Sequence, residues 1–322
     1  MSPASWPAAG TAAQFSTVRR DEARLRPAVL ALCGRLGLGG ARVARFPGGS
    51  LPVYAVGDGL ALKLYPPAYQ ACRTAEERVL RVLGGGLPVP TPRVEQAGES
   101  GDWGYILMTR LRGEPLTEVW PRASERDRDR LAAQLGAALT ALHQVSIPGL
   151  GPADWNRFIS GQRAGCVARQ RALGLGEPWL AQIPGFLDSV PLVPSPPALL
   201  HTEVMREHLL AARGAAGRWS LSGLFDFEPA MTGAREYEFA LAGVYFSGGD
   251  PLVLRRLLTA YGYRDDELDG DLQRRLLAYA LLHRYSNLPR YLRILPLPPE
   301  QTLGALAGRW WRLVASGTGG DR

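Results

Sequence analysis

Residues 51–83 read LPVYAVGDGLALKLYPPAYQACRTAEERVLRVL. Two short apolar runs flank Asp58-Gly59 and predict a β-hairpin, because Asp-Gly fits the tight turn that joins such strands. The end of the stretch, residues 73–83, places acidic and apolar side chains at helical spacing and predicts a helix. A hairpin followed at once by a helix therefore sets the architecture of the first part of the chain.

The second strand of this hairpin carries the only lysine of the chain. Lys63 is one of 37 cationic residues, and all the others are arginine. A lone lysine indicates a site that needs a compact ammonium group, although chance survival of one lysine is the alternative. The turn Gly48, Gly49, Ser50 precedes the hairpin, and Glu76 follows it. Phosphate binding uses backbone N–H groups, an ammonium, and a carboxylate that holds this ammonium in place. The combination of these three features predicts a phosphate site.

The remaining pattern predicts an α+β fold with a small β-rich lobe over 1–112 and a larger, mainly helical lobe over 113–322. Residues 1–20 are small and polar and are expected to be poorly ordered. After residue 113 the chain is helical, except that the proline-rich stretch 146–198 is irregular. The predicted helices are 21–37, 73–83, 124–145 (with Ser124 as N-cap), 236–248, 251–262, 267–288 and 299–315.

Composition narrows the class of protein. The 322 residues are 46% hydrophobic, enough for a large core, and carry a net charge of +7. The arginines alternate with acids, as in RASERDRDR at 122–130, which is typical of a solvated helix face and argues against nucleic-acid binding. No apolar run approaches the ~18 residues that would span a membrane. With three scattered cysteines and no secretory signal pattern, a cytoplasmic protein is expected.

Two stretches of the second half supply further polar groups. Residues 201–210 read HTEVMREHLL, and residues 219–228 read WSLSGLFDFE. Asp226 lies inside an apolar run, where a carboxylate is costly unless it is paired or metal-bound. We expect Glu203, His208 and Asp226 around one point, because an anionic cluster beside a phosphate loop is what Mg²⁺ requires. Structural roles are the simpler interpretation for two other histidines, His143 and His201.

In their order and spacing, these motifs resemble the aminoglycoside phosphotransferase and choline-kinase-like family, and its hygromycin-B kinase branch most closely. The resemblance covers about residues 40–250. The strings that carry it include ALKLYP around Lys63, YILMTRLRG at 105–113, LLHTEVMREHLL at 199–210 and LSGLFDFEPAMTG at 221–233.

The resemblance implies a bilobal, protein-kinase-like fold that transfers the γ-phosphoryl group of ATP to a small-molecule hydroxyl with Mg²⁺. Lys63 would then hold the nucleotide phosphates with Glu76 as its partner, and Asp226 would be the principal Mg²⁺ ligand. The other positions that it implies are backbone contacts to adenine near Met108, Thr109 and Leu111, a structural role for His201 and a supporting acid at Glu238.

The catalytic loop departs from the family's HGDxxxxN pattern. Glu203 replaces the aspartate that acts as base, and His208 replaces the asparagine that binds metal. Glutamate can accept a proton, but its extra methylene matters, because a displacement of about 1 Å can cost roughly 10²-fold in rate. Imidazole binds metal only when neutral, and Mg²⁺ prefers oxygen. Two functions stay open: a phosphotransferase using Glu203, Asp226 and His208, or a catalytically impaired protein that binds nucleotide or metabolite as a sensor or scaffold.

The acceptor is expected to be a hydroxylated small molecule, with a cationic, aminoglycoside-like antibiotic as one candidate. Its pocket would lie between a helical insert at about 150–195 and the C-terminal helices. Acidic residues at 265–271 could attract a cationic acceptor, but a helix N-terminus that favours acids explains them more simply.

Overall fold

A computed structural model describes residues 5–193, 195–214 and 217–313 of the chain. The chain separates into two compact units. The first comprises Met1–Gly86, Pro90–Arg112 and Gly223–Ala230, and the remainder forms the second. Residues 223–230 thus belong to the first unit, whereas the sequence-based boundary after residue 112 left them in the second. The functional division into two lobes stays a prediction.

The first unit is built on a five-stranded antiparallel sheet with the order β1-β2-β3-β5-β4. Lys63 lies on its central strand, opposite Val53 of β2 and Ile106 of β5. The predicted hairpin at Asp58-Gly59 is confirmed as β2 and β3. The elements are α1 (Ala12–Val18), α2 (Glu22–Arg35), β1 (Val43–Arg45), β2 (Val53–Val56), β3 (Leu60–Tyr65), α3 (Gln70–Leu83), β4 (Val94–Ser100) and β5 (Trp103–Thr109).

The N-terminal segment is more ordered than its composition suggests. Thr11 caps α1 in a capping box with Gln14, and the helix buries Phe15 and Val18. The ring of Phe15 meets Trp103 edge-on, with 6.1 Å between centroids. These apolar residues at i and i+3 share one helix face and anchor it to the sheet. The expectation of poor order at residues 1–4 lies outside the described residues.

The second unit is mainly helical and contains two small antiparallel sheets. One pairs β7 with β10, and the other has the order β6-β8-β9. Its elements are β6 (Glu114–Pro115), α4 (Leu116–Val119), α5 (Glu125–His143), α6 (Trp155–Ala172), α7 (Glu177–Leu180), α8 (Ile183–Asp188), β7 (Ala198–Leu200), β8 (Leu209–Arg213), β9 (Trp219–Leu224), β10 (Met231–Gly233), α9 (Arg235–Leu241), α10 (Pro251–Tyr261), α11 (Gly270–Leu282), α12 (Leu288–Ile294) and α13 (Leu303–Trp310).

Helix α5 begins as predicted, since the Ser124 hydroxyl accepts a hydrogen bond from the N–H of Asp127. Residues 146–198 are not irregular throughout, because they contain the 18-residue helix α6, which lies within the helical insert expected at about 150–195. Four arginines and two glycines interrupt the apolar period of α6, and Gln170 is one of its buried residues. The predicted helix 299–315 is shorter, as α13, and residues 314–315 lie outside the described residues.

None of the described helices combines the length and the apolar character that crossing a membrane requires.

Candidate active site

The ammonium of Lys63 is surrounded by three carboxylates within the first unit. Its Nζ lies 2.7 Å from Oε2 of Glu76 and 2.5 Å from Oδ1 of Asp226. Oε2 of Glu228 lies 3.2 Å from the same atom. The structure therefore brings Lys63, Glu76 and Asp226 together, although 163 residues separate Lys63 from Asp226 in sequence.

Burial and charge act in opposite directions on this lysine. Lys63 is only 5% exposed, and burial alone would lower the pKa of its ammonium. The negative charges of Asp226 and Glu76 outweigh burial, so the pKa of Lys63 lies well above its ordinary value. Lys63 is thus a permanently charged ammonium at a fixed position in the sheet.

Glu76 is the residue that fixes this ammonium. It is 1% exposed, and Oε1 accepts a hydrogen bond from the main-chain N–H of Phe227 at 3.1 Å. The Tyr65 hydroxyl also donates to Glu76. Lys63 is the third donor, so the hydrogen-bonding capacity of this buried carboxylate is satisfied. The Glu76 side chain thereby connects helix α3 to strand β3 and to residues 225–228.

Asp226 lies two residues after the end of β9, and its φ is 73°. Aspartate tolerates this left-handed conformation better than most residues other than glycine. Its side chain is 23% exposed, whereas Glu76 is nearly inaccessible. At this left-handed position, the Asp226 carboxylate contacts Lys63 and is also partly exposed to solvent.

The three carboxylates fit a hard divalent cation. One oxygen from each of Glu76, Asp226 and Glu228 lies within 4.8 Å of the others. Oε2 of Glu228 is buried, and apart from the Lys63 ammonium no group among the described residues donates to it. Burial raises the pKa of Glu228, Lys63 lowers it, and Asp226 and Glu76 raise it, with a net upward shift. Oxygen-rich, negatively charged sites of this kind suit Mg²⁺.

Glu228 is a candidate site residue that the sequence analysis missed. A signal was available in the sequence, because a second carboxylate, Glu228, stands two positions after Asp226 in the same apolar stretch. The Ser50 hydroxyl donates to Oε1 of Glu228 at 3.4 Å. Glu228 thus contacts both the Gly-rich turn and the single lysine.

The Gly-rich turn has backbone conformations that only glycine adopts readily. Gly48 has a φ of 82° and Gly49 has a φ of 80°. Across the sheet, Met108 and Thr109 lie at the end of β5, directly beside β3. Leu111 follows two residues later. Roles of these residues in nucleotide binding stay a prediction.

The candidate catalytic loop, residues 201–208, belongs to the second unit and is held by Glu238. This carboxylate is fully buried and accepts hydrogen bonds from the main-chain N–H groups of His201 at 2.6 Å and Thr202 at 2.8 Å. Thr202 has a φ of 70°, which strains a β-branched residue. The buried Glu238 carboxylate therefore stabilises a loop conformation that threonine alone would disfavour.

His208 lies beside Glu203 in this loop. Its Nδ1 is 2.9 Å from the main-chain oxygen of Glu203, so a neutral imidazole that donates there leaves its lone pair on Nε2. Both residues belong to the second unit, whereas Asp226 belongs to the first. The catalytic role of Glu203 and the metal role of His208 stay predictions.

The contacts of the remaining polar candidates are structural ones. Nδ1 of His143 lies 2.8 Å from the Tyr261 hydroxyl, and its Nε2 lies 3.5 Å from Glu238. The acidic group at 265–271 is engaged in ion pairs and caps: Asp265 pairs with Arg255 at 2.6 Å, and Asp269 caps α11. These contacts favour the helix-terminus interpretation of the acidic group over recognition of a cation.

Comparison with known proteins places these observations in a family. The model of the phosphotransferase enzyme family matches residues 42–277. No curated protein sequence matches the chain. Solved structures share the fold at low identity: a GDP complex of an aminoglycoside 2'-phosphotransferase-IIIa mutant (18% identity, TM-score 0.66, 80% of this chain and 86% of that chain), and macrolide 2'-phosphotransferase MphH from Brachybacterium faecium (19%, 0.57, 85% and 99%). A thermostable mutant of aminoglycoside phosphotransferase APH(4)-Ia is similar (19%, 0.57, 90% and 99%).

The predicted α+β, kinase-like fold is confirmed by these structures, and the predicted enzyme class by the family match. The match covers more than two thirds of the chain and includes Lys63, Glu76, Glu203 and Asp226. The chain belongs to the phosphotransferase enzyme family.

Proposed function

We propose that this phosphotransferase transfers the γ-phosphoryl group of ATP to a hydroxyl group of a small molecule, with Mg²⁺ as cofactor. The observation that carries the proposal is the buried ammonium of Lys63 between Glu76, Asp226 and Glu228, next to a Gly-rich turn. A fixed cation, a Gly-rich backbone loop and acidic groups for a divalent ion are the parts that phosphoryl transfer uses.

Each residue around Lys63 has a distinct part in this proposal. Lys63 binds the oxygens of the nucleotide phosphates, and Glu76 keeps the ammonium in place through its 2.7 Å contact. The main chain at Gly48 and Gly49 approaches the phosphates closely because neither residue has a side chain. The end of β5, near Met108, Thr109 and Leu111, offers backbone hydrogen bonds to adenine.

Asp226 and Glu228 would hold the magnesium ion, with His208 a further candidate ligand. When bound, Mg²⁺ neutralises charge on the phosphate oxygens. Three carboxylates against one ammonium leave the cluster net negative when all are ionised, which favours a divalent cation. Glu76 is engaged by three donors and is the least suited of the three to serve as a ligand.

Glu203 is proposed as the base that accepts the proton of the attacking hydroxyl. The adjoining loop is fixed by Glu238 through the N–H groups of His201 and Thr202, and a fixed base requires such support. The acceptor is a hydroxylated small molecule. Aminoglycosides and a macrolide are the substrates named for structurally similar enzymes, and the hygromycin-B branch stays a prediction.

The test is calorimetric titration of the chain with ATP, with and without Mg²⁺. We expect Lys63→Ala to weaken MgATP binding by roughly tenfold or more, because a buried charge-assisted contact to phosphate is lost. The matched control is Arg45→Ala, which removes a cation from β1 of the same sheet. Equal affinity of wild type and Lys63→Ala would remove the basis for the proposal.

The single lysine allows an independent test. An acyl-phosphate derivative of ATP transfers its acyl group to a nearby amine and releases ATP. Lys63 offers the only side-chain amine in the chain. We expect peptide mapping to find the acyl group on Lys63, and excess ATP to prevent the labelling. Labelling that ATP does not reduce would contradict a nucleotide site at Lys63.

A catalytically impaired nucleotide-binding protein is the second candidate. It is favoured by the longer carboxylate at Glu203 and by the imidazole at His208, both departures from the family pattern. Binding of MgATP without hydrolysis or transfer to any hydroxylated acceptor would support it. The predicted cytoplasmic location fits either function, since both bind ATP.

A further inference from the structure

Arg206 lies within the candidate catalytic loop, three residues after Glu203 and two before His208. Its Nε donates a hydrogen bond to the main-chain oxygen of Phe246 at 2.7 Å. Phe246 is the last residue of a π-helical turn, Ala242–Phe246, that continues helix α9. The last carbonyl groups of a helix have no partner within the helix. The guanidinium supplies one at the end of the helix where a positive charge is favourable.

A tryptophan ring packs against the same guanidinium. Cζ of Arg206 lies 4.2 Å from the centroid of the Trp120 ring, and this ring meets Phe246 edge-on, with 5.2 Å between centroids. A Cβ added to Gly248 would lie 3.3 Å from Nη2 of Arg206. The second unit therefore fixes this planar group in one orientation, which the compact ammonium of a lysine would not reproduce.

Arg206 stays charged although it is partly buried. Burial lowers the pKa of its guanidinium to about 10, Glu207 and Asp250 oppose this effect, and Arg128 adds to it. The group is therefore positive at pH 7. An apolar side chain would fill the same space without the cost of removing a charge from water. Only a donor, however, attaches the loop to the Phe246 carbonyl by a directional hydrogen bond.

The first part of the loop is attached to the same helix by a different side chain. Glu238 of α9 accepts hydrogen bonds from the main-chain N–H groups of His201 and Thr202. The main-chain N–H of Glu203 donates to Nδ1 of His201 at 3.3 Å, and the main-chain oxygen of Glu203 lies 2.9 Å from Nδ1 of His208. The proposed base is thus held through its main chain on both sides.

We propose that Arg206 is a positioning residue for phosphoryl transfer, which keeps Glu203 in place against the reacting hydroxyl. Glu238 and Arg206 attach the loop to one continuous helical segment, residues 235–246, at points that precede and follow Glu203 in sequence. Without the second attachment the loop would shift, and a displacement of about 1 Å can cost roughly 10²-fold in rate. The inference rests on the proposed function and adds to it a residue that acts through the base.

The test measures Mg²⁺-dependent hydrolysis of ATP, in which water takes the place of the acceptor hydroxyl. The water oxygen bonds to the γ-phosphorus, the bond from this phosphorus to the β,γ-bridging oxygen breaks, ADP leaves with that oxygen, and Glu203 accepts the water proton. We expect Arg206→Lys to lower kcat roughly 10²-fold. The affinity for MgATP, measured by calorimetry, should stay close to that of wild type. A purely structural role would lower Tm but leave kcat unchanged well below it.

The matched control is Arg128→Lys. Nε and Nη2 of Arg128 donate to the main-chain oxygen of Trp120 at 3.2 and 3.1 Å. The control therefore disturbs the same tryptophan without removing a side chain of the loop, and kcat should not change. An equal loss of kcat in Arg128→Lys and Arg206→Lys, or no loss in Arg206→Lys, would overturn the inference.

A double variant tests whether Arg206 acts through Glu203. Residues that act as a unit have non-additive effects, so Arg206→Lys should lower kcat no further when it is added to Glu203→Gln. Losses that multiply would contradict the inference. If Arg206→Lys does not fold, Gly248→Ala takes its place in both the single and the double variant, because it crowds Nη2 and keeps the guanidinium.

Wild type separates failure of the inference from failure of the proposed function. Binding of MgATP without any hydrolysis would overturn the inference alone, because there would be no reaction step for Arg206 to support. Absence of MgATP binding would mean that the proposed function fails, and the inference with it.

Discussion

Oε2 of Glu228 lies 3.2 Å from Nζ of Lys63. Glu228 is the third carboxylate around this ammonium, and apart from Lys63 no group among the described residues donates to its buried Oε2. A buried carboxylate oxygen with only one such neighbour keeps a lone pair unsatisfied, which is costly, and a bound divalent cation would satisfy it. The contact therefore connects the lysine of the proposed phosphate site to the acids of the proposed metal site.

Replacing Glu228 by glutamine should weaken the response to magnesium. Glu228→Gln keeps the shape of the side chain but removes one negative ligand, and ligand charge sets the affinity of such sites. We expect the Mg²⁺ concentration needed for half-maximal ATP binding to rise roughly tenfold. ATP binding without Mg²⁺ should not weaken. Calorimetry at a series of Mg²⁺ concentrations measures both quantities.

The control for this variant is Glu77→Gln, one position from Glu76 on α3. Glu77 pairs with Arg73 at 2.8 Å and with Arg81 at 3.0 Å, on the solvent side of the helix. Its loss should leave the magnesium response unchanged. If the magnesium response is also unchanged in Glu228→Gln, the role of Glu228 is limited to its contacts with Lys63 and Ser50.

Turnover should depend on Glu203 while nucleotide binding does not. Glu203→Gln removes the proton acceptor but keeps the side-chain volume, so phosphoryl transfer should fall by about 10²-fold or more, the typical contribution of a general base. The affinity for MgATP should stay within a factor of two of wild type by calorimetry. Full activity in the glutamine variant would exclude Glu203 as the base and leave hydroxyl orientation as its function.

The sequence predicts the first unit better than the second. Asp58-Gly59 and the single lysine mark the hairpin and its candidate site residue locally, so both can be found without a structure. The contact between Arg284 and Thr202 cannot be found in this way, because 82 residues separate the two and nothing local marks it. The bounds of helix α6 were not predicted, because arginine and glycine disrupt its apolar period, although Asp154 caps it. Glu228 stands two positions after Asp226, and this proximity in sequence was the signal available for it.

Helix packing in the second unit provides a prediction about stability. A Cβ added to Gly136 of α5 would lie 2.4 Å from the main-chain oxygen of Leu257 on α10. Backbone cannot rotate away as a side chain does, so Gly136→Ala should lower the free energy of unfolding by about 1–3 kcal/mol. Urea unfolding followed by circular dichroism measures the change.

A second glycine supplies the control for that experiment. Gly161, within α6, has no atom within 4 Å of an added Cβ. Gly161→Ala should therefore stabilise the chain by about 0.5–1 kcal/mol, because alanine loses less backbone entropy in a helix. Destabilisation by both substitutions would mean that α6 packs more tightly than its surroundings indicate.

Stability should also decrease on acidification, because of His283. Burial, Arg284 and Arg169 lower its pKa to about 3 in the folded chain, whereas an unfolded histidine has a pKa near 6.5. Between pH 6.5 and pH 3, the unfolded state binds a proton at His283 that the folded state does not bind. The contribution of His283 to the free energy of unfolding is therefore complete above about pH 6.5 and is lost as the pH falls toward 3. The loss from this group approaches about 1.4 kcal/mol per pH unit.

Two measurements separate His283 from the carboxylates that titrate in the same range. In a histidine-labelled NMR spectrum, the His283 signal should stay at its neutral position from pH 8 to pH 5. His283→Asn should lose less unfolding free energy than wild type between pH 6.5 and pH 5, because the variant has no imidazole to protonate on unfolding. A His283 signal that titrates near pH 6.5 would contradict the burial of this imidazole and the effect of the Arg284 and Arg169 charges on its pKa.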